Sequence, residues 1–214
     1  NYLLPKRLSM FFTLFVDMVA AIPSVVFGLW GFFVLMQHGA LWAQWLNNHL
    51  GWVPFFKVEF PAFEQSPFMA GIVLAIMITP IIASVAREIF AQVPPDLITG
   101  AHALGASRWT LIRNVILPFG KGGIVGGAML GLGRALGETI AVFFVLQLFF
   151  DDVNWSRMLE STGGSVAALI VSRFGEATPL EISALFGAGL ALFFITLLAN
   201  AGATAIVAAT GRKR

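Results

Sequence analysis

The 214 residues contain no cysteine, which excludes disulfides, thiol nucleophiles and cysteine-based metal sites. Charge is scarce as well. Asp, Glu, Lys and Arg together make up 11% of the chain, where a soluble domain carries about 25%. A formal net charge of +2 is too small to argue for a nucleic-acid partner. No low-complexity tract, linker or strong internal repeat is visible, so one membrane domain over residues 1–214 is the simplest organisation. The chain opens at Asn1 without a methionine, a charged n-region or a small-residue cleavage site, and no signal peptide is legible. The expectation is that the protein was processed or that a longer N-terminal region precedes it.

What is abundant is apolar surface. Hydrophobic residues account for 58%, which fits an integral membrane protein. Four stretches are long and apolar enough to cross a bilayer as helix, for which roughly 20 residues are needed. They run from about Leu8 to Met36, Pro67 to Phe90, Gly122 to Phe150 and Glu181 to Ala209. Pro23 interrupts the first and Pro80 the second, each a place for a kink. With both chain ends inside, the cytoplasmic segments hold Lys6, Arg7, Arg87, Arg108, Arg113, Lys121, Arg212, Lys213 and Arg214, and the outside loops hold Lys57, Arg157 and Arg173. That bias satisfies the positive-inside rule.

The outside loop 37–66 carries Trp42, Trp45 and Trp52, and its ALWAQWLNNHL segment reads as a short interfacial amphipathic helix with indoles at headgroup level. His38 and His49 share that loop without acidic or thiol neighbours at ligand spacing, so no metal site is expected. The second outside loop, 151–180, is polar apart from SVAALIVSRF. That patch is too short to span and predicts a re-entrant or surface-lying helix.

The longest inside segment, 94–118, reads PPDLITGAHALGASRWTLIRNVILP. Pro94 and Pro95 suit a helix start, and Leu97, Ala101 and Leu104 are expected on one face. Gly105 permits a chain reversal. Ser107 is placed to cap a second short helix ending at Pro118. The segment resembles the coupling loop of ABC importer permeases: EAA, three residues, G, nine residues, then I-x-L-P. Ala101, Gly105, Val115, Leu117 and Pro118 match that pattern, with Val for Ile. Thr99 and Gly100 replace the leading Glu and the first Ala.

AAIPSVVFGLWGFFVL (20–35), GRALGETIAVFFVL (133–146) and SRFGEATPLEISALFGAGLALFFIT (172–196) sharpen the likeness. They resemble the C-type permease of bacterial phosphate-specific ABC importers, over that family's C-terminal two-thirds. The resemblance implies a type I importer permease fold in the bacterial inner membrane. About two spans would precede this chain, in keeping with its start at Asn1. It implies as partners a second homologous permease, two ATPase subunits and an external phosphate-binding protein, with ATP and Mg on the ATPases. FGKGG lacks the spacing and hydroxyl of a phosphate loop, so the chain itself is expected to bind no cofactor, hydrolyse no ATP and catalyse nothing. The coupling loop would sit in a groove of the ATPase and transmit its closure into alternating access.

Arg134 and Glu138 stand four apart in the third apolar stretch. At 100° per residue, Gly127, Gly131, Arg134 and Glu138 share one stripe, and Gly123 extends the small-residue row. The sequence therefore predicts that Arg134 lines an anion route, with Glu138 holding its guanidinium and accepting the proton that phosphate carries. Thr139 and Ser24 are candidate hydroxyl partners. An inter-subunit ion pair is the competing account. Asp17 is expected to be hydrated near the cytoplasmic interface, with pairing to Arg134 as the alternative. His102 is expected on an exposed helix. Other readings left open are an importer for sulfate, molybdate or an organic solute, and a secondary transporter or channel that works without ATP.

Overall fold

The computed structural model describes residues 5–59, 62–147, 158–161 and 163–211. Residues 148–157 and 212–214 lie outside this set, and with them Arg157, the cations at 212–214, the end of the expected third span and the start of the second outside loop. The described residues are mostly α-helical, and four helices are long and apolar enough to cross a membrane: Ser24–Leu50, Pro67–Ala91, Arg108–Leu136 and Pro179–Gly202.

The number of spans agrees with the sequence reading; the bounds of the first and third do not. Helix α1 (Lys6–Ala20) stops short of Pro23, whose extended backbone (ψ 142°) starts α2 (Ser24–Trp30). The expected span from Leu8 to Met36 is thus two helices. A π-helical turn, Gly31–Leu35, joins α2 to α3 (Met36–Leu50) without a break. ALWAQWLNNHL is helical, as the continuation of a span. Likewise α6 (Arg108–Leu111) passes through a second π-helical turn, Ile112–Ile116, into α7 (Leu117–Leu136). The second coupling-loop helix therefore does not end at Pro118. A π turn shifts the hydrogen-bond ladder by one residue, and here it does so immediately before the position where proline offers no N–H. Pro80 likewise stays inside α4 (Pro67–Ala91).

The remaining helices are α5 (Pro95–Ala103), α8 (Ile140–Val145), α9 (Val166–Phe174) and α10 (Pro179–Gly211). Helix α9 is the short helix expected from SVAALIVSRF, capped by Ser165, whose hydroxyl accepts the Ala168 N–H. Helix α10 starts on a reciprocal capping box: the Glu181 carboxylate accepts the Thr178 N–H at 2.7 Å, and the Thr178 hydroxyl accepts the Glu181 N–H at 3.5 Å.

The chain divides into two compact units. The first comprises Asn1–Ala21, Ile78–Arg134 and Leu198–Arg214; the second comprises Ile22–Met77 and Ala135–Leu197. Within the second, α2 packs on α8 through glycine. A Cβ at Gly28 would lie 2.8 Å from Ala141 Cα, and one at Gly31 would meet Val145 and Val73. Met69, Val73 and Val145 are fully buried there. Backbone hydrogen bonds tie residues 55–68 to residues 158–161, from Met158 N–H to Phe55 O, Phe68 N–H to Met158 O and Ser161 N–H to Ala62 O. The buried Glu160 carboxylate accepts the Glu59 N–H.

Within the first unit the glycine row of α7 lies against α4. Cβ atoms at Gly120, Gly123 and Gly127 would meet Phe90, Ile89 and Val85, and one at Gly131 would lie 2.9 Å from Ile82 and 3.5 Å from Ile78. Small residues let helix backbones approach within a bilayer, where tight packing replaces the hydrophobic driving force. Asp17 pairs with Arg87 of α4 and not with Arg134: its oxygens lie 3.0 and 3.4 Å from one guanidinium nitrogen, with both side chains partly exposed.

Candidate functional site

Segment 94–118, expected to be the coupling loop, is built by local chemistry. Pro95 occupies the first turn of α5, and the Thr99 hydroxyl donates back to Pro95 O at 2.9 Å. Gly105 takes a left-handed backbone (φ 75°), and the Ala106 N–H reaches Ala101 O at 3.0 Å, closing the helix with a Schellman-type bond. Ser107 caps α6, accepting the Thr110 N–H at 3.2 Å. Val93, Leu111 and Ile116 form a small buried core, with Ile98, Ala101 and Val115 packed against it.

The matched residues thus take different positions. Ala101 and Val115 brace the core and Gly105 makes the turn. Leu117 is exposed on the helix, and Pro118 is half-buried within it. The face of α5 differs from the expectation: Ile98 and Ala101 point inward, while Leu97 and Leu104 project outward, Leu104 being 90% exposed. Trp109 is exposed beside Arg108. His102 is exposed, as expected.

Arg134 lies in the last turn of α7. Gly131, one turn earlier, contacts Ile78 and Ile82, near the middle of the 25-residue α4. That register sets Arg134 close to mid-span depth. Its side chain is exposed and lines an open cavity of about 740 Å³ in the first unit. Ile81, Met129 and Leu130 supply apolar walls, and the other polar lining comes from Asn200 and Thr204 of α10. Sequence reasoning missed these two. Their signal was an amide and a hydroxyl four apart in an apolar helix, and nothing in the one-dimensional pattern linked them to α7.

Ser24, Glu138 and Thr139 belong to the second unit, whereas Arg134 belongs to the first. The chain leaves the α7 helix after Leu136 and resumes in α8 at Ile140. Glu138 therefore does not continue the helical stripe of Arg134. Its carboxylate, only 9% exposed, accepts the Ala141 N–H at 3.3 Å, an acidic cap on the first turn of α8. The Thr139 hydroxyl donates to Gly137 O at 3.3 Å. Gly28 faces Ala141 and Gly31 faces Val145, so α2 and α8 run parallel and start at the same end. Ser24, Glu138 and Thr139 all sit at that end.

His38 and His49 each bond a backbone carbonyl one turn back on their own helix, Val34 O and Trp45 O. Among the described residues no group of three His, Asp or Glu is placed to hold a metal.

The family of binding-protein-dependent transport system inner membrane components matches residues 2–213. The chain is 46% identical, over 94% of its length, to the phosphate transport system permease protein PstC of Mycobacterium leprae. It is 44% identical over 92% to the protein of that name from Haemophilus influenzae. It is also 35% identical over 92% to a probable PstC of Methanocaldococcus jannaschii. The chain spans 64%, 62% and 62% of those three relatives. No solved structure matches the chain significantly.

Proposed function

Because the chain belongs to the family of binding-protein-dependent transport system inner membrane components, we propose that it is a permease subunit of an ABC importer moving inorganic phosphate across the bacterial inner membrane. The names of its relatives support the solute. The observation that carries the reading is Arg134, a fixed cation near mid-span depth that opens onto a cavity. A guanidinium stays charged at physiological pH and presents a planar fork of donors to phosphate oxygens. Within the second unit, Glu138 is assigned to holding the start of α8, where Ser24 and Thr139 also sit.

Transport proceeds by alternating access powered elsewhere. Two ATPase subunits hold ATP and Mg and dock on the coupling loop. A second, homologous permease completes the pathway, and an external phosphate-binding protein delivers the solute. This chain binds no cofactor of its own. Both of its ends face the cytoplasm, which the distribution of Lys and Arg supports.

Reconstitution of the complete importer in proteoliposomes tests the reading. Arg134→Gln is expected to assemble and hydrolyse ATP while phosphate uptake falls at least a hundredfold. Uptake at the unsubstituted rate would sink it, and dissociation of the second permease would make Arg134 an assembly residue instead.

A further inference from the structure

The cavity beside Arg134 holds a second polar group that the anion route does not yet use. Asn200 projects from α10 against Gly133, the residue next to Arg134. A Cβ at Gly133 would lie 3.1 Å from both the amide nitrogen and the amide oxygen of Asn200. The absence of a side chain at Gly133 is therefore what lets that amide lie flat on α7, at the wall of the cavity that Arg134 also lines.

Other polar side chains described on α10 are differently occupied. The hydroxyls of Ser183, Thr196 and Thr204 donate to the carbonyls of Pro179, Leu192 and Asn200, one turn back on their own helix. Thr204 lines the same cavity, yet its proton is committed at 2.8 Å. The Asn200 amide has no hydrogen bond to any described residue. An amide in an apolar span is costly unless something polar meets it, and this one borders the cavity that Arg134 lines.

We propose that Asn200 is a second anion-contacting residue, resting on the assignment of Arg134 to the route, and that it discriminates between oxyanions. Arg134 supplies positive charge and donors only. The amide supplies one of each kind: its NH2 donates to an anionic oxygen, and its carbonyl accepts the proton of a P–OH group. Phosphate at neutral pH carries such a proton; sulfate does not, and sets an oxygen lone pair against the amide carbonyl. The pair Arg134 and Asn200 thus recognises a protonated tetrahedral oxyanion, where Arg134 alone recognises any.

The test is equilibrium binding of radiolabelled phosphate, with sulfate as competitor, to the complex of permeases and ATPases held without ATP and without the external binding protein, beside uptake by the complete importer in proteoliposomes. Asn200→Leu is expected to weaken phosphate binding roughly tenfold or more and to shrink the preference over sulfate, with ATP hydrolysis and assembly retained. Asn200→Gln restores part of the preference. Asn200→Asp, which sets a carboxylate into the cavity where the anion would bind, is expected to abolish binding. Should Asn200→Leu misassemble, Gly133→Ala, which displaces the amide from α7, is expected to lower the preference in the same direction. Unchanged affinity and preference in these variants, with uptake lost in Arg134→Gln, would overturn the role of Asn200 and leave that of Arg134 standing. Uptake retained in Arg134→Gln would overturn both.

Discussion

A charged arginine at the centre of a bilayer costs about 2.5–3.5 kcal/mol by insertion scales. A partner of opposite charge on the same helix returns about 0.3–0.5 kcal/mol. The helix breaks before Glu138, so even that return is missing, and the cost at Arg134 is offset only if the cavity it lines is polar or occupied. Asp17 and Arg87 are a different case. Both side chains are partly exposed, and exposed pairs contribute under about 1 kcal/mol. A double-mutant cycle on Asp17→Asn and Arg87→Gln is expected to give a coupling energy below that value in urea or thermal unfolding. Gly28 is the opposite extreme, because its neighbour is the backbone of α8. Gly28→Ala would force two helices apart and is expected to cost about 1–3 kcal/mol, read as a lowered melting temperature of the purified complex. Gly71→Ala is the matched control, since a Cβ there meets nothing within 4 Å.

Among the elements, the coupling loop shows which features were legible. Its start, turn and second cap were readable because each depends on the chemistry of one or two residues: Pro95 at the first turn, Gly105 in the left-handed region, Ser107 as cap. The inward face of α5 was not readable. Leu97, Ile98, Ala101 and Leu104 lie within a half-turn or so of one another, and the choice among them was made by where Val93 and Ile116 stand. Two predictions follow at this scale. Gly105→Val places a β-branched residue at φ 75°, which costs at least about 1–2 kcal/mol, and is expected to uncouple ATP hydrolysis from uptake in the assembled importer. Leu104→Asp removes an exposed apolar anchor worth about 1.5–3 kcal/mol if buried by a partner. Weaker co-purification of the ATPase subunits is the expected outcome, and full retention of them would show that Leu104 contacts nothing.

For the whole molecule, orientation is the property most open to direct measurement, because the 214 residues carry no cysteine to remove. Single cysteines at Lys57 and His102, both exposed, are expected to react from opposite sides. In intact cells a membrane-impermeant maleimide should label Lys57→Cys, and should label His102→Cys only after permeabilisation. The reverse pattern would invert the topology. At this scale the structure also shows that two distant segments are one assembly, joined by backbone hydrogen bonds between residues 55–68 and 158–161. Pairings between segments about a hundred residues apart leave no periodic trace in either segment.

Composition and local pattern were sufficient for the membrane class, the number of spans and the start, turn and second cap of segment 94–118. They sufficed because bilayer thickness, proline, glycine and capping side chains act over a few consecutive residues. Tertiary structure alone decided that Glu138 caps α8, that Asp17 binds Arg87 and that Asn200 lines the cavity of Arg134. In each of those cases the deciding partner lies on another helix or past a helix break. A side chain acquires a neighbour there only once the backbones have packed.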